Sequence, residues 1–461
     1  MPATSVLINI GEHRTWLKRL ELRNYRCFAR LVIDLDEHLT VLIARNGMGK
    51  TSVLDAIATA FGTFVGSFYT GKGAGIANSD VRTRLTDPEL RQMESQFPAA
   101  ILSEGEVNDQ HIKWERYLNS PKSNTTVKEA RPLTAIGEGM QQAVTNSQEV
   151  ILPLIAYYGT GRLWNQKSKT DKKVFESGFY SRTAGYQDCL DPASSYKLFI
   201  EWFRYVARAD SDIRNREWER TGGGNGDIET PFSPLIAAIR QSVDTCLSIT
   251  CWHGIRYSFT HQAVVMEHPV HGVLEVGQMS DGVRNMIAMV ADIAYRMVRL
   301  NSDLGREATR LTPGLVLIDE VDMHLHPEWQ QVVLQHLTEA FPKVQFVVTT
   351  HSPQVISTVK REHIRELSEN VFGEDIAAMP VMQTYGRSNA DVLQGTMKVS
   401  PVPKVEESEK LKRYLTLIEQ GDYKTDVVRT LRRELDTSLG ADHPALLRAD
   451  KTMRRREVLD R

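Results

Sequence analysis

Residues Val41–Thr51 read VLIARNGMGKT and run directly into SVLDAIATAF, Ser52–Phe61. Val41 to Ala44 are apolar or small, as in a buried strand. After the turn Arg45–Gly49, Val53, Leu54, Ile57 and Phe61 recur at helical spacing. A strand, a glycine-bearing turn and a helix opening on Lys50-Thr51 form the phosphate-binding loop pattern. Gly47 and Gly49 allow the backbone to turn its N–H groups inward, where they and the helix N-terminus cradle phosphate oxygens. Lys50 is expected to reach the β- and γ-phosphates, and the Thr51 hydroxyl to ligate Mg²⁺. Asn46, Gly47, Gly49, Lys50, Thr51 and Ser52 are the expected nucleotide-binding set. Ala44 stands where the pattern has its first glycine. The competing reading is an ordinary glycine turn before a helix, and motifs downstream weaken it.

The chain has 461 residues, enough for two or three domains. Its 41% hydrophobic and 25% charged content is that of a soluble globular protein. A formal net charge of −2 argues against a broadly basic nucleic-acid binder but not against a local basic patch. Cys27, Cys189, Cys246 and Cys251 are scattered, with no CxxC and no disulfide framework. No apolar run approaches the ~18 residues of a membrane span, and the first residues carry no signal-peptide pattern. A cytoplasmic chain is expected.

Trp16–Leu35 alternates apolar and polar residues twice around Asn24–Phe28, a two-strand pattern feeding the Val41 strand. Ala99–Leu102 and His111–Leu118 read as further strands. Residues 119–147 read as an exposed loop with a short helix. Ile151–Tyr158, ILPLIAYY, is a buried strand or a buried helix start; the Gly159–Arg162 turn after it is either part of a site or a plain strand end. A lysine-rich stretch, an aromatic helix around Tyr196–Tyr205 and a glycine-rich linker near 221–226 complete the middle of the chain.

Ser280-Asp281-Gly282 is a helix N-terminal signal, followed by the apolar stripe Ile287, Val290, Ile293, Ala294 and Met297. Leu315–Ile318 is unbroken apolar sequence, as in a central parallel strand covered on both faces. It ends in Asp319-Glu320, where open α/β sheets bind ligands. Asp319 suits metal coordination, direct or through water. Glu320 suits orienting and deprotonating a water that attacks a γ-phosphate. His324 and His326 lack a third metal ligand at suitable spacing and read as loop. A helix over Glu328–Ala340 and a strand over Gln345–Thr350 follow, the latter ending in His351, placed to sense a γ-phosphate. Residues 361–400 read as mixed, and Glu406–Leu439 and Ala445–Arg461 as charged helical sequence suited to docking a partner or DNA.

A phosphate loop, a long insertion, an SDG helix, VLIDE and TTHSP in that order resemble the ATP-binding-cassette heads of SMC, RecF and OLD-type ATPases. DEVDMHLHPEWQ (319–330) and TTHSPQV (349–355) resemble more closely the stand-alone bacterial AAA-type ATPases of the PtuA kind, from the Septu anti-phage system. The resemblance implies an α/β fold: an ABC-ATPase-like head (P-loop NTPase) split into 1–62 and 271–360, a large mixed α/β insertion over 63–270, and a mixed then helical C-terminal tail over 361–461. It makes Lys50 and Thr51 the Walker A residues, Asp319 the Walker B aspartate, Glu320 the catalytic glutamate and His351 the switch histidine. Ser280 to Gly282 stand in the signature motif, written MSDGVR here rather than LSGGQ. No Q-loop glutamine is assignable among Gln92, Gln96 and Gln110. In such a head Ser280 and Gly282 complete a neighbour's site, so ATP with Mg²⁺ joins two chains into a homodimer or higher oligomer. The implied function is a Mg²⁺-dependent ATPase of anti-phage defence that regulates an HNH nuclease subunit of the PtuB kind, with DNA as a further partner and no membrane. The alternative is a RecF/SMC-like DNA-repair or recombination ATPase that binds DNA without a nuclease.

Overall fold

A computed structural model describes residues 13–87, 92–161, 181–193, 196–221, 228–422 and 424–459. The lysine-rich stretch, Arg162 and the glycine linker of the sequence reading lie outside these residues. The chain divides into two compact units, Met1–Val392 and Leu393–Arg461.

The first unit begins with a hairpin of β1 (Thr15–Tyr25) and β2 (Phe28–Asp34). Leu22 faces Leu31 and Leu20 faces Ile33, so the alternation seen in sequence becomes one buried apolar side. Its turn holds Asn24 and Arg26 in left-handed backbone, φ 47 and 50. Arg26 is kept there by ion pairs to Asp55 and Asp80. The strand β3 (Leu39–Ile43) leads into the glycine turn and the helix Lys50–Ala60. A small exposed hairpin, β4 (Thr83–Asp87) and β5 (Gln92–Ser95), precedes β6 (Ala99–Val107) and β7 (Gln110–Leu118). β8 (Leu154–Tyr158) is buried at every residue, which settles the Ile151–Tyr158 run as strand. β9 (His253–Ser258), β10 (Ala263–His268) and β11 (Gly272–Glu275) form a separate antiparallel sheet just before the helix Asp281–Leu300. β12 (Gly314–Ile318), β13 (Val344–Thr349), β14 (Ile364–Glu369) and β15 (Asp375–Ala378) follow.

Two sheets organise this unit. One is antiparallel, ordered β2-β1-β6-β7. The other has the order β15-β14-β3-β13-β12-β8 and is parallel except for the edge strand β15. β3, β12 and β13 lie inside the parallel sheet, so the carboxyl ends that carry Ala44, Asp319 and Thr350 are neighbours.

This arrangement corrects several boundaries. Residues 63–270, read from sequence as a large insertion, contribute strands to both sheets: β6 pairs with β1, and β8 pairs in parallel with β12. Beyond 360, β14 runs parallel to β3 in the same sheet. Neither relation is local, and hydrophobic pattern alone cannot assign a strand to a sheet. The segment 119–147 holds a full helix, Arg131–Thr145, rather than a short one. The helix expected over Glu328–Ala340 is broken into Pro327–Gln330 and Val333–Ala340. Gln330 turns its side chain back onto the Leu325 carbonyl at 2.9 Å, and Val332 N–H closes a tight turn on Trp329 O at 3.1 Å.

A buried side chain stitches the two sheets together, alongside Arg365 on β14, which donates to Asp34 O at 2.7 Å. Gln345 on β13 is 1% exposed. Its Oε1 accepts from Leu17 N–H at 2.8 Å, and its Nε2 donates to Leu17 O at 2.9 Å and Asp36 O at 2.6 Å. It meets Leu17 where the β1–β6 ladder slips register between Leu17 and Arg19.

The second unit is three helices, Glu406–Gln420, Asp426–Leu439 and Pro444–Leu459, around Tyr414, Ile418, Val428, Leu431, Leu435, Leu446 and Ala449. The charged run Glu406–Leu439 is thus two helices, divided where Gly421 takes φ 93. Arg456 donates to Ile418 O and Glu419 O, the last carbonyls of the first helix.

Gln345→Met keeps the bulk of the side chain but leaves the Leu17 amide and carbonyl unpaired in the interior. The expected loss is about 2–4 kcal/mol of stability. Urea unfolding should show a lower midpoint at unchanged slope; an unchanged midpoint would mean the stitch is dispensable.

Candidate nucleotide site

The turn after β3 uses glycine at the two places where the backbone is left-handed, Gly47 at φ 82 and Gly49 at φ 83. Ala44 is not among the left-handed residues, so alanine is tolerated where the pattern has its first glycine. Gly49 is doubly constrained. A Cβ there would overlap the Phe28 ring and lie 2.5 Å from Cys27 Sγ. The β1–β2 turn therefore presses on the loop at the start of the helix. Asn46 and Gly47 are exposed on the loop, and nothing lies within 4 Å of a Cβ built on Gly47. Ser52 is half-buried near the Cys27 thiol.

Lys50 is 8% exposed, and its Nζ donates to Ala44 O at 3.2 Å. Burial pushes its pKa down, while Asp319, Glu320 and Asp322 pull it back up. An ammonium so placed, with a neutral carbonyl as its hydrogen-bond partner, is suited to an incoming anion. Thr51 Oγ1 donates to Asp319 Oδ2 at 2.8 Å. Asp319, 3% exposed, also accepts from Thr349 Oγ1 at 2.6 Å through its other oxygen. Thr51 and Asp319 together offer the hard oxygen donors that a small divalent cation requires. His351 follows β13 and is half-buried. Its pKa is lowered by burial and then by Lys50, against the opposing pull of Glu320, Asp322 and Asp319. Both causes disfavour the charged imidazole.

Lys50, Thr51, Asp319, Glu320 and His351 are thus brought into one cluster. Ser280 and Gly282 are not joined to the phosphate loop by any hydrogen bond among the described residues. Ser280 is the N-cap of the Asp281–Leu300 helix, yet its side chain makes no capping bond and is exposed. Gly282 packs elsewhere: a Cβ on it would overlap the His324 carbonyl, in the loop after Asp319-Glu320. None of Gln92, Gln96 or Gln110 lies on the parallel sheet. The edge strand beside β12 is β8, which leads into Gly159-Thr160-Gly161. His326 accepts from Glu328 N–H at the start of its short helix, so it serves a helix end.

The sequence reading missed Thr349, Thr350 and Asp322. Thr350 Oγ1 donates to Asp322 Oδ1 at 2.5 Å. The available signal was two consecutive hydroxyls at the carboxyl end of a parallel strand, beside the strand that ends in two acids.

Comparison with known proteins finds similarity to ATPases. Residues 19–216 match a family model described as AAA domain, and residues 155–357 match one described as AAA domain, putative AbiEii toxin, Type IV TA system. These matches make the chain an ATPase with the mixed α/β fold of a P-loop NTPase. It is 25% identical to the Retron Vc95 probable ATPase of Vibrio cholerae, over 90% of this chain and 86% of that protein. Identity is also 25% to the Retron Ec83 probable ATPase of Escherichia coli, over 93% and 84%. A shorter match, 49% identical, covers 19% of this chain and 22% of the Septu protein PtuA of Bacillus thuringiensis. No helix among the described residues is long and apolar enough to cross a membrane.

The two loop glycines should separate in a substitution test. Gly49→Ala places a Cβ against Phe28 and Cys27 as well as in left-handed backbone, and ATP affinity should fall at least about tenfold. Gly47→Ala carries the backbone cost alone and should lose less. Titration with a fluorescent ATP analogue checks the order of the two, and equal losses would contradict the packing argument.

Proposed function

We propose that this chain is the ATP-binding and ATP-hydrolysing subunit of an anti-phage defence complex, pairing through ATP held between two heads and regulating an associated HNH nuclease. The observation that carries the defence reading is the similarity to retron ATPases over nearly the whole chain, with the local similarity to PtuA beside it. The pairing is supported by Ser280, an exposed helix N-cap whose hydroxyl is not used on its own helix. A helix N-terminus of this kind offers N–H dipoles to an anion.

In this reading Lys50 and the N–H groups of Asn46–Ser52 bind the β- and γ-phosphates. Thr51 and Asp319 hold Mg²⁺, which when bound offsets phosphate charge. Glu320 orients the attacking water and takes its proton. His351 hydrogen-bonds a γ-phosphate oxygen. Ser280 and Gly282 of the second head close over the same phosphate. The nuclease active site belongs to the HNH partner, and DNA is the target of the assembly.

Glu320→Gln preserves size and a hydrogen bond but removes the base. Hydrolysis should drop at least about 100-fold while ATP stays bound. The paired form should then accumulate, and Ser280→Arg in the same background should prevent it. Crosslinking between cysteines introduced beside Ser280 and beside Asn46 reads the pairing directly. Normal turnover by Glu320→Gln, or undiminished crosslinking with Ser280→Arg, would sink this reading. Recovery of the complex from its native operon, without an HNH protein in it, would remove the nuclease part alone.

A further inference from the structure

The residue after Asp319 is held in an unusual way. Glu320 has φ 48, a left-handed conformation that a long side chain seldom adopts outside sites that need it. Its N–H donates to Thr349 Oγ1 at 2.7 Å, and the same Oγ1 donates its proton to Asp319 Oδ1 at 2.6 Å. The next N–H, of Val321, donates to the Thr349 carbonyl at 3.0 Å. Thr349 itself is 0% exposed, the last residue of β13. One hydroxyl, using both its proton and a lone pair, therefore fixes the rotation of the Asp319 carboxylate and the backbone that aims Glu320. On the far side of that short segment Thr350 Oγ1 donates to Asp322 Oδ1 and accepts from Ser352 N–H at 2.9 Å, bracketing His351.

We propose that Thr349 is a positioning residue for ATP hydrolysis, acting through Glu320. It is buried and acts through its hydrogen bonds to Glu320 and Asp319. Its role is to keep Glu320 in the left-handed conformation that points the carboxylate at the attacking water. The proposal rests on the assignment of Glu320 as the base, and its tests are chosen to fail separately from that assignment. Valine is the informative replacement because it retains the β-branched shape suited to a strand and removes only the hydroxyl. Thr349→Val leaves the Glu320 N–H without its acceptor and the Asp319 oxygen without its donor. A base displaced by a fraction of an ångström to an ångström costs about 10- to 100-fold in turnover.

The measurements are steady-state ATPase, ATP affinity in the presence of Mg²⁺ by equilibrium binding, and the thermal midpoint, for T349V, T349S, E320Q and T349V/E320Q. T349V should lose about 10- to 100-fold in kcat with ATP affinity within about threefold of the parent. T349S, which restores the hydroxyl, should recover most of the loss. T349V/E320Q should hydrolyse no more slowly than E320Q alone, because a residue acting through Glu320 has nothing further to remove. The proposal is overturned if T349V turns over normally, if T349S is as impaired as T349V, or if the losses multiply in the double variant. A T349V that fails to bind ATP with Mg²⁺ acts through Asp319 rather than Glu320 and ends the proposal, and one whose thermal midpoint collapses while T349S is also unfolded assigns Thr349 to the fold and ends it too. Full activity in E320Q would instead remove the base assignment, whatever Thr349 does.

Discussion

The constraint on which the rest depends is the Asp319 carboxylate, which is nearly buried and accepts from two hydroxyls supplied by distant parts of the chain. Thr51 comes from the helix after β3, 268 residues away in sequence, and Thr349 from the end of β13. A carboxylate removed from water is costly unless donors or positive charge surround it. Here two hydroxyls do so, with the Lys50 ammonium close enough to feel the charge. The three strands must therefore be neighbours, with their carboxyl ends level. The order β3-β13-β12 meets that requirement with β13 in the middle. Thr349 is on the central strand of the three, the position from which a side chain reaches both partners.

The helix that begins at Lys50 is fixed at both ends by the antiparallel sheet. At its start Phe28 and Cys27 fill the space that any side chain on Gly49 would need. At its end Trp114 Nε1 donates to Ala60 O at 2.9 Å, and Arg116 donates to Thr59 O at 3.0 Å. Arg116 also donates to Ala74 O and Thr126 O. Its partners are backbone carbonyls, and burial pushes its pKa down to about 10. A cation at the carbonyl end of a helix is favourably placed. β7, which carries both side chains, thus anchors the far end of the helix that begins at Lys50, and this ties the middle of the chain to the strand–loop–helix unit.

The elements that read correctly from sequence are those whose signal is local. The alternation of β1 and β2, the loop between β3 and its helix, the run Leu315–Ile318 and the stripe from Ile287 to Met297 all report their own burial. The site was legible where chemistry falls on adjacent residues: Lys50-Thr51, Asp319-Glu320 and His351. What could not be read depends on partners far apart in sequence. β8 and β14 carry no mark of which sheet they join, and Arg116 looks like any charge on an alternating strand. Gln345 appears as the polar start of an apolar run, and its three backbone partners become visible only when two sheets meet. Thr349 looks like ordinary strand sequence because its hydroxyl bonds to Asp319 and Glu320, just past the end of another strand.

The helix Asp281–Leu300 shows how the two ends of this head are referenced to each other. Asp292 and Arg296 on it are each about 2% exposed at the side chain, and Arg296 Nε donates to Asp292 Oδ2 at 2.7 Å. Tyr158 OH donates to that same oxygen at 2.8 Å. Tyr158 is also the last residue of β8, and its carbonyl accepts the Asp319 N–H at 2.8 Å. Arg296 reaches onward to Gly185 O and Gln187 O at 2.9 Å each. Breaking a buried pair of this kind strands a charge, at about 3–5 kcal/mol, so the helix cannot slide along β8 by small steps. The helix that begins at Ser280 and the strand end that carries Asp319 therefore take their positions from one tyrosine.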